Sequence, residues 1–202
     1  KAKDVKNDEF YTQISDIENE MNAYYEHNPN VFRGKTILCP CDDPEWSNFT
    51  KHFTQNFVRY GLKKLICTCY NKEEGGHGKK LVLTGDTNGN GKIEADDIVA
   101  TEMKGNGDFN SPEVKKLLEE ADFVITNPPF SLFREFIAWI MESGKKFSII
   151  GNTNAITYKE VFPLIKDNKV WLGYGFHHGD SYFKVPDSAD TSNYAKGVYD
   201  PT

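Results

Sequence analysis

The sequence predicts an α/β fold in which a mostly parallel sheet is doubly wound, with helices on both faces. Short apolar runs of strand length alternate with amphipathic stretches of helix length along most of the chain. A strand–loop–helix–strand unit between residues 35 and 70 is typical of the start of a parallel sheet. The chain has 202 residues, 38% of them hydrophobic, which is enough for one domain with a sizeable core.

The first part of the chain contains residues that clearly mark the ends of helices. Ile14, Ile17 and Met21 recur at three- and four-residue steps, which indicates an amphipathic helix that the polar 27–30 stretch ends. Gly61 closes the second helix. The predicted elements are a helix over 7–25, a strand over 35–39, a helix over 47–60 and a strand over 65–70.

Residues 71–110 break this alternation and are rich in Gly, Asn, Asp and Lys. We interpret them as an insertion, partly mobile, with one edge strand over 80–83. Regularity returns at Ser111-Pro112, a helix-capping residue followed by proline at the first helical position. The elements predicted after it are strands over 122–126, 146–151 and 169–173, and helices from 111, over 132–142 and over 158–165.

A stiff polar loop, Asn127-Pro128-Pro129-Phe130, follows the predicted strand 122–126 directly. In doubly wound sheets ligands bind beyond the carboxyl ends of the strands. The Asn127 side-chain oxygen and the Pro128 carbonyl could both accept hydrogen bonds from one amino group and so orient its lone pair toward a methyl sulfonium. Phe130 offers a flat face on which a flipped base could stack. The alternative is a rigid turn in which Asn127 caps the following helix.

Five longer motifs extend this signal. They lie at 41–49 (Cys-Asp-Asp-Pro-Glu-Trp-Ser-Asn-Phe), at 107–111 (Gly-Asp-Phe-Asn-Ser), at 122–135 around the Asn-Pro-Pro-Phe loop, at 150–159 and at 171–174 (Trp-Leu-Gly-Tyr). Together they resemble the EcoRI-type adenine-specific DNA methyltransferases, from about residue 8 to residue 174. The resemblance implies a Rossmann-like methyltransferase fold and methyl transfer from S-adenosylmethionine to the N6 amino group of adenine in double-stranded DNA, with Asn127, Pro128 and Phe130 holding and stacking the base.

The same resemblance implies where the cofactor S-adenosylmethionine binds. Asp42 or Asp43 would meet its methionine part, and Tyr11 and Thr12 would close over its carboxylate. Asp108 would accept from its adenine amino group, with Phe109 packed on the ring. Each assignment has a structural alternative: a helix cap for the first pair of acids, a plain turn for Asp108-Phe109, and core packing for the aromatic residues before Thr12.

Two departures from the usual cofactor-binding pattern concern this pocket. Ser47-Asn48 occupy the place of a glycine-rich loop, as they do in the family that the chain resembles. The second strand is not followed by the acid expected at the ribose hydroxyls, and Tyr70 or Asn71 would have to replace it.

Two further patterns are typical of metal sites. Cys39, Cys41, Cys67 and Cys69 alternate within two apolar runs; we favour buried core cysteines over a zinc site, which usually uses Cys-x-x-Cys loops. Residues 86–97 match a calcium loop, with oxygen ligands at the first, third and fifth positions and an acid at the twelfth, but a Gly/Asn-rich turn explains the same residues. We assign no metal ligands.

Charge and length limit the interpretation. The net charge of −6 argues against a purely electrostatic nucleic-acid binder. We therefore expect one catalytic domain over 1–202 that lacks part of its target-recognition region. No apolar run approaches the ~20 residues of a membrane span, and we expect a cytoplasmic location. The competing functions are a glutamine-amide protein methyltransferase and a non-enzymatic calcium-binding module.

Overall fold

A six-stranded sheet forms the centre of the molecule. The computed structural model describes residues 12–86, 89–94 and 97–175. The strands are β1 (Thr36–Cys39), β2 (Lys64–Cys69), β3 (Lys79–Leu83), β4 (Ala100–Glu102), β5 (Phe123–Thr126) and β6 (Lys146–Ile149). Their order is β4-β3-β2-β1-β5-β6. β1 pairs in parallel with β2 and β5, and β5 with β6, whereas β3 and β4 join antiparallel.

Helices cover both faces of this sheet, which confirms the doubly wound α/β prediction. The helices are α1 (Ile14–His27), α2 (Asn48–Gln55), α3 (Phe57–Tyr60), α4 (Pro112–Glu120), α5 (Phe133–Ser143) and α6 (Phe162–Lys166). Residues of α1, α2 and α3 pack with Ile37 and Leu65 on one face. Residues of α4 and α5 pack with Leu38 and Ile66 on the other. Alternate residues of one strand thus point to opposite cores.

The first helices differ from the prediction at their ends. α1 begins at Ile14 because Gln13 before it is extended, and residues 7–11 of the predicted helix lie outside the described residues. The predicted helix over 47–60 is broken at Asn56. There the Asn56 side-chain amide donates to the His52 carbonyl, and the Thr54 hydroxyl donates to the Thr50 carbonyl. Such side-chain bonds to the backbone compete with the helical ladder. Gly61 ends α3 in the left-handed conformation, as predicted.

Residues 71–110, which the sequence predicts to be an insertion, add two strands to the sheet, and we call this segment the antiparallel extension. The predicted strand over 80–83 exists as β3, but it is not an edge strand. It lies between β2 and β4, and β4 takes the edge. The sequence of β4 is three residues long with no alternating apolar pattern, which is why the periodicity did not predict it.

The last elements are less regular than the sequence predicts. Short 3₁₀ helices, Phe130–Leu132 and Thr153–Thr157, precede α5 and α6. The predicted strand over 169–173 is wrong: the segment has no strand conformation, and Trp171 is 71% exposed. Instead the chain packs along α1, where the Gly175 amide donates to the Glu20 carboxylate at 3.0 Å.

No helix in the described part of the chain is long and apolar enough to cross a bilayer.

Candidate active site

The carboxyl ends of three parallel strands meet at one edge of the sheet. Cys39 at the end of β1 lies beside Cys67 of β2, and Leu38 lies beside Val124 of β5. The loops that follow β1 and β5 therefore start next to each other. They carry the predicted cofactor acids and the predicted catalytic loop, so the parallel pairing alone places the two groups together.

Asp42 is buried at the centre of this edge. Its Oδ1 accepts a hydrogen bond from the Ser47 hydroxyl at 2.6 Å, and its Oδ2 accepts one from the Thr126 hydroxyl at 2.5 Å. Its backbone amide donates to the Thr68 carbonyl of β2 at 2.9 Å. Burial raises the pKa of Asp42 to about 6, although the two hydroxyl bonds act to lower it. Desolvation of the charged form outweighs the hydrogen bonds that favour it.

Asp43 is less buried than Asp42 and turns toward β2. Its Oδ1 accepts from the Glu45 amide at 2.8 Å, and its Oδ2 accepts from the Cys69 thiol at 3.4 Å. Its carbonyl accepts from the Thr50 hydroxyl, which fastens the loop to α2. Neither acid caps α2: that role belongs to Ser47, whose Oγ accepts from the Phe49 amide. The helix-cap alternative for Asp42 and Asp43 is therefore wrong.

Thr12 reaches the same edge from the amino-terminal side. Its carbonyl accepts a hydrogen bond from the Asn48 side-chain amide at 2.8 Å. The residue is only 4% exposed, and its buried hydroxyl has no hydrogen-bond partner among the residues that the structure describes. The structure thus places Thr12 against the loop that replaces the glycine-rich motif. Tyr11 and Phe10 lie outside the described residues.

Asp108 is brought to the edge by a close backbone crossing. Gly107 has φ +81°, and a Cβ built on it would lie 2.2 Å from the Cys69 carbonyl oxygen at the end of β2. Only glycine allows that approach. The Asp108 carboxylate accepts from the Asn110 amide at 2.7 Å, which makes the turn that the sequence offered as an alternative. Only one of the two carboxylate oxygens takes part in that turn, and the other has no hydrogen bond among the described residues.

Phe109 points away from the edge. It is buried in the second core, with its ring centroid 5.0 Å from Phe136 and 5.5 Å from Trp139. In this structure it is a core residue, and stacking of Phe109 on a cofactor ring stays a prediction.

The catalytic loop follows β5 without a break. Pro128 is buried, and Asn127 and Phe130 are half-buried. The residues that precede the 3₁₀ helix and α5 are Pro129 and Leu132, neither with a side-chain cap. Asn127 is therefore not the N-cap residue of either helix, although the loop is a turn between a strand and a helix, as the alternative expected. The amide oxygen of Asn127 and the Pro128 carbonyl lie in this turn at the end of a buried strand, and their role in binding an amino group stays a prediction.

The structure distinguishes between Tyr70 and Asn71, the two residues predicted to replace the acid that binds the ribose hydroxyls. Asn71 uses its side chain locally: its oxygen accepts from the Glu73 amide and its nitrogen donates to the His77 carbonyl. Tyr70 is 51% exposed at the end of β2. Of the two predicted substitutes, Tyr70 is the one whose hydroxyl the local turn does not occupy.

Sequence reasoning missed two residues of this edge. Thr126 reads as an ordinary β-branched strand residue, and Ser47 was noted only as a replacement for glycine. The structure identifies both as site residues because their hydroxyls donate to the same carboxylate, that of Asp42. A threonine as the last residue of a buried strand, directly before a catalytic loop, is the one signal that could have indicated the contact.

The cysteines are free and lie in different environments. Cys39 and Cys67 are fully buried in the first core, whereas Cys41 packs at the second. Burial raises the pKa of Cys39 and Cys41 well above the ordinary thiol value, and that of Cys69 to about 11. Protonated thiols are poor metal ligands.

Acidic side chains of the calcium-like loop accept hydrogen bonds from backbone amides of the same loop. Asp86 accepts from the Gly89 and Gly91 amides, and Asp97 accepts from the Glu94 amide. Asn88, the third ligand position, lies outside the described residues. Among the residues that are described, no group of three or more His, Cys, Asp or Glu side chains could hold a metal ion.

Comparison with known proteins gives a consistent picture. The family model described as "Adenine-specific methyltransferase EcoRI" matches residues 1–200. The chain is 50% identical over 194 residues to the Type II methyltransferase M.EcoRI of Escherichia coli, covering 93% of this chain and 58% of the relative. It is 40% identical over 174 residues to the Type II methyltransferase M.MpnI of Mycoplasma pneumoniae, covering 86% and 50%.

The chain spans about half the length of the curated relatives that it matches. No solved structure matches it.

Proposed function

Because the chain belongs to the EcoRI-type family of adenine-specific methyltransferases, we propose that it carries the catalytic machinery for methyl transfer from S-adenosylmethionine to the N6 amino group of adenine in double-stranded DNA. The observation that carries the proposal is the position of the Asn-Pro-Pro-Phe loop. It leaves a buried parallel strand at the same edge as Asp42, Asp43, Asp108 and Thr12.

The catalytic loop has the chemistry for holding an amino group. The Asn127 side-chain oxygen and the Pro128 carbonyl accept two hydrogen bonds from one NH2 group, which turns the nitrogen lone pair toward the methyl donor. Phe130 stacks on the adenine ring, which must leave the duplex to reach this loop. Transfer needs no strong base before the bond forms, since the amino nitrogen attacks through its own lone pair.

The surrounding residues fit the methyl donor. When bound, S-adenosylmethionine supplies an electrophilic methyl group on a sulfonium. The buried hydroxyl of Thr12, which has no hydrogen-bond partner within the described part of the chain, is a donor suited to the carboxylate of that molecule. Asp43 is the more accessible of the two acids after β1, and Asp108 has one carboxylate oxygen available for the adenine amino group. Tyr11 stays a predicted member of the pocket, and so does Phe109, although its ring packs on Phe136 and Trp139 in the second core.

The alternatives have less support. A glutamine-amide protein methyltransferase would share the catalytic loop, but the family model and the relatives are those of adenine or Type II methyltransferases. A calcium-binding module would leave the whole carboxyl edge of the sheet unexplained.

The decisive variant is Asn127→Ala in the full-length protein. We expect methyl transfer from tritium-labelled S-adenosylmethionine to DNA to fall by about a hundredfold or more, since a positioned polar group at the reacting atom is lost. Binding of S-adenosylhomocysteine, measured by calorimetry, should stay within about threefold because Asn127 lies on the substrate side.

Asn90→Ala is the matched control. It removes the same side chain from an exposed turn of the antiparallel extension, and it should leave transfer unchanged. Label in protein instead of DNA would favour the glutamine-amide alternative, and a fully active Asn127→Ala variant would overturn the assignment of the loop.

A further inference from the structure

We propose that Asp42 is a positioning residue that ties the cofactor loop to the catalytic loop through Ser47 and Thr126, and that the methyl donor is not its ligand. The inference rests on the proposed function and divides the roles of the two acids after β1. Asp43 stays on the cofactor side, whereas Asp42 serves the scaffold that holds both loops.

The hydrogen bonds of the Asp42 carboxylate already account for both of its oxygens. One accepts from Ser47 at 2.6 Å and the other from Thr126 at 2.5 Å. Asp42 is 5% exposed, Ser47 7% and Thr126 0%. A residue that binds the cofactor directly needs an oxygen that the cofactor can reach. Both oxygens of Asp42 instead accept from buried hydroxyls inside the protein.

Each hydroxyl belongs to one half of the proposed site. Ser47 begins the turn that replaces the glycine-rich loop, and its oxygen also accepts from the Phe49 amide, which fixes the start of α2. Thr126 immediately precedes Asn127, and its carbonyl accepts from the Ile150 amide beyond β6. The carboxylate between them therefore links the loop that faces the methyl donor to the loop that holds the acceptor amine.

The anchoring of Asp42 itself is rigid. Its amide donates to the Thr68 carbonyl, and the Thr68 hydroxyl donates back to the Pro40 carbonyl at 3.2 Å. The backbone at Pro40 and at Asp42 is thus held on β2. A displacement of about 1 Å between reacting groups is enough to slow catalysis strongly. A rigid link between the two loops, such as the Asp42 carboxylate, therefore affects the rate directly.

The test compares Thr126→Val, Thr126→Ser, Asp42→Asn and the Asp42→Asn/Thr126→Val double variant in the full-length protein. Kinetics give kcat and the KM for S-adenosylmethionine, and calorimetry gives the Kd of S-adenosylhomocysteine. Hydrogen exchange of the amides in 127–133 reports the catalytic loop without any need for activity. Thermal melts identify a variant that fails to fold, and the conservative Asp42→Asn then carries the test.

We expect Thr126→Val to lower kcat about tenfold or more, the loss typical of one hydrogen bond to a charged group. The Kd of S-adenosylhomocysteine should change by less than about threefold, and Thr126→Ser should restore kcat. Asp42→Asn should speed exchange over 127–133, and the double variant should be no worse than the poorer single variant because both remove one interaction.

Two results would overturn the proposal. One is a tenfold or greater weakening of S-adenosylhomocysteine binding by Asp42→Asn while Thr126→Val leaves kcat unchanged, which would make Asp42 a cofactor ligand. The other is unchanged exchange over 127–133 in both single variants. A wild-type protein that neither binds S-adenosylhomocysteine nor methylates DNA would refute the proposed function, and the exchange measurement would still decide whether Asp42 holds the loop.

Discussion

The parallel half of the sheet and the antiparallel extension bring acids to the same edge by different means. In the parallel half, β1 and β5 end side by side. Asp42 and Asn127 come shortly after these strands, so the pairing alone brings them to the same edge. In the extension, Asp108 reaches this edge because the backbone of Gly107 passes very close to the Cys69 carbonyl. The first arrangement depends on the hydrogen-bonded ladder, the second on the absence of a single side chain.

The difference teaches where the site is tolerant and where it is not. Burial and several hydrogen bonds hold the loop after β1, so the loss of one bond can be partly offset by the others. The close approach at Gly107 does not tolerate an added side chain, since backbone atoms of β2 occupy the space that a Cβ atom would need. The calcium-like turn of the extension, in contrast, is exposed and bonded mainly within itself.

The largest expected effect comes from Gly107→Ala. The new Cβ would meet the Cys69 carbonyl at 2.2 Å, and the positive φ disfavours any side chain, so we expect the free energy of unfolding to fall by about 3 kcal/mol or more. Denaturant unfolding measures the loss. Gly105→Ala is the control, because a Cβ there meets no atom within 4 Å. Equal stability of the two variants would show that the crossing is not tight.

An intermediate effect is expected from pH at Asp42. Its pKa is raised by burial from 3.8 unfolded to about 6 folded, so its contribution to stability is complete below pH 4 and is lost as pH rises through 6. The difference corresponds to about 3 kcal/mol at most. Asp42→Asn should remove this slope from the free energy of unfolding. The other ionisable groups beside it are Asp43 and the thiols of Cys39 and Cys41, and burial raises the pKa of both thiols well above its ordinary value.

The same titration should move activity in the opposite direction. The ionised carboxylate accepts both hydroxyl bonds, so kcat should rise as pH increases through about 6 while stability falls. Rate profiles of the wild type and of Asp43→Asn both retain that rise, and Asp42→Asn loses it. A flat wild-type profile in this range would contradict the assignment.

The smallest effect is expected at Asp86. Its carboxylate accepts hydrogen bonds from the Gly89 and Gly91 amides of its own exposed turn, far along the chain from the residues of the proposed site. Asp86→Ala should lower the free energy of unfolding by no more than about 1 kcal/mol and leave methyl transfer unchanged. Thermal melts with and without calcium complete the measurement. A calcium-dependent rise in Tm that Asp86→Ala removes would show that the turn binds the ion after all.

Much of the edge could be predicted because its residues follow apolar strands directly. Asn127 and Asp42 stand at strand ends, and parallel strands share one edge, so periodicity and the strand-end rule predict where both residues lie. A cofactor role for Asp42 or Asp43, in contrast, is implied only by the resemblance to the family. The predicted strand over 169–173 failed for the reverse reason. Its apolar residues match a strand, but a strand forms only beside a partner, and this segment packs along α1 instead.

The sequence by itself determined the α/β class, the parallel core of the sheet and the catalytic loop, since local hydrophobic periodicity and stiff proline turns are properties of neighbouring residues. Only the tertiary structure decided that β3 lies inside the sheet, that Phe109 fills the core and that Asp42 is shared between Ser47 and Thr126. Those facts depend on contacts between residues far apart in the chain. Thr126, 84 residues from Asp42, acquires its role only when the strands that carry them pair.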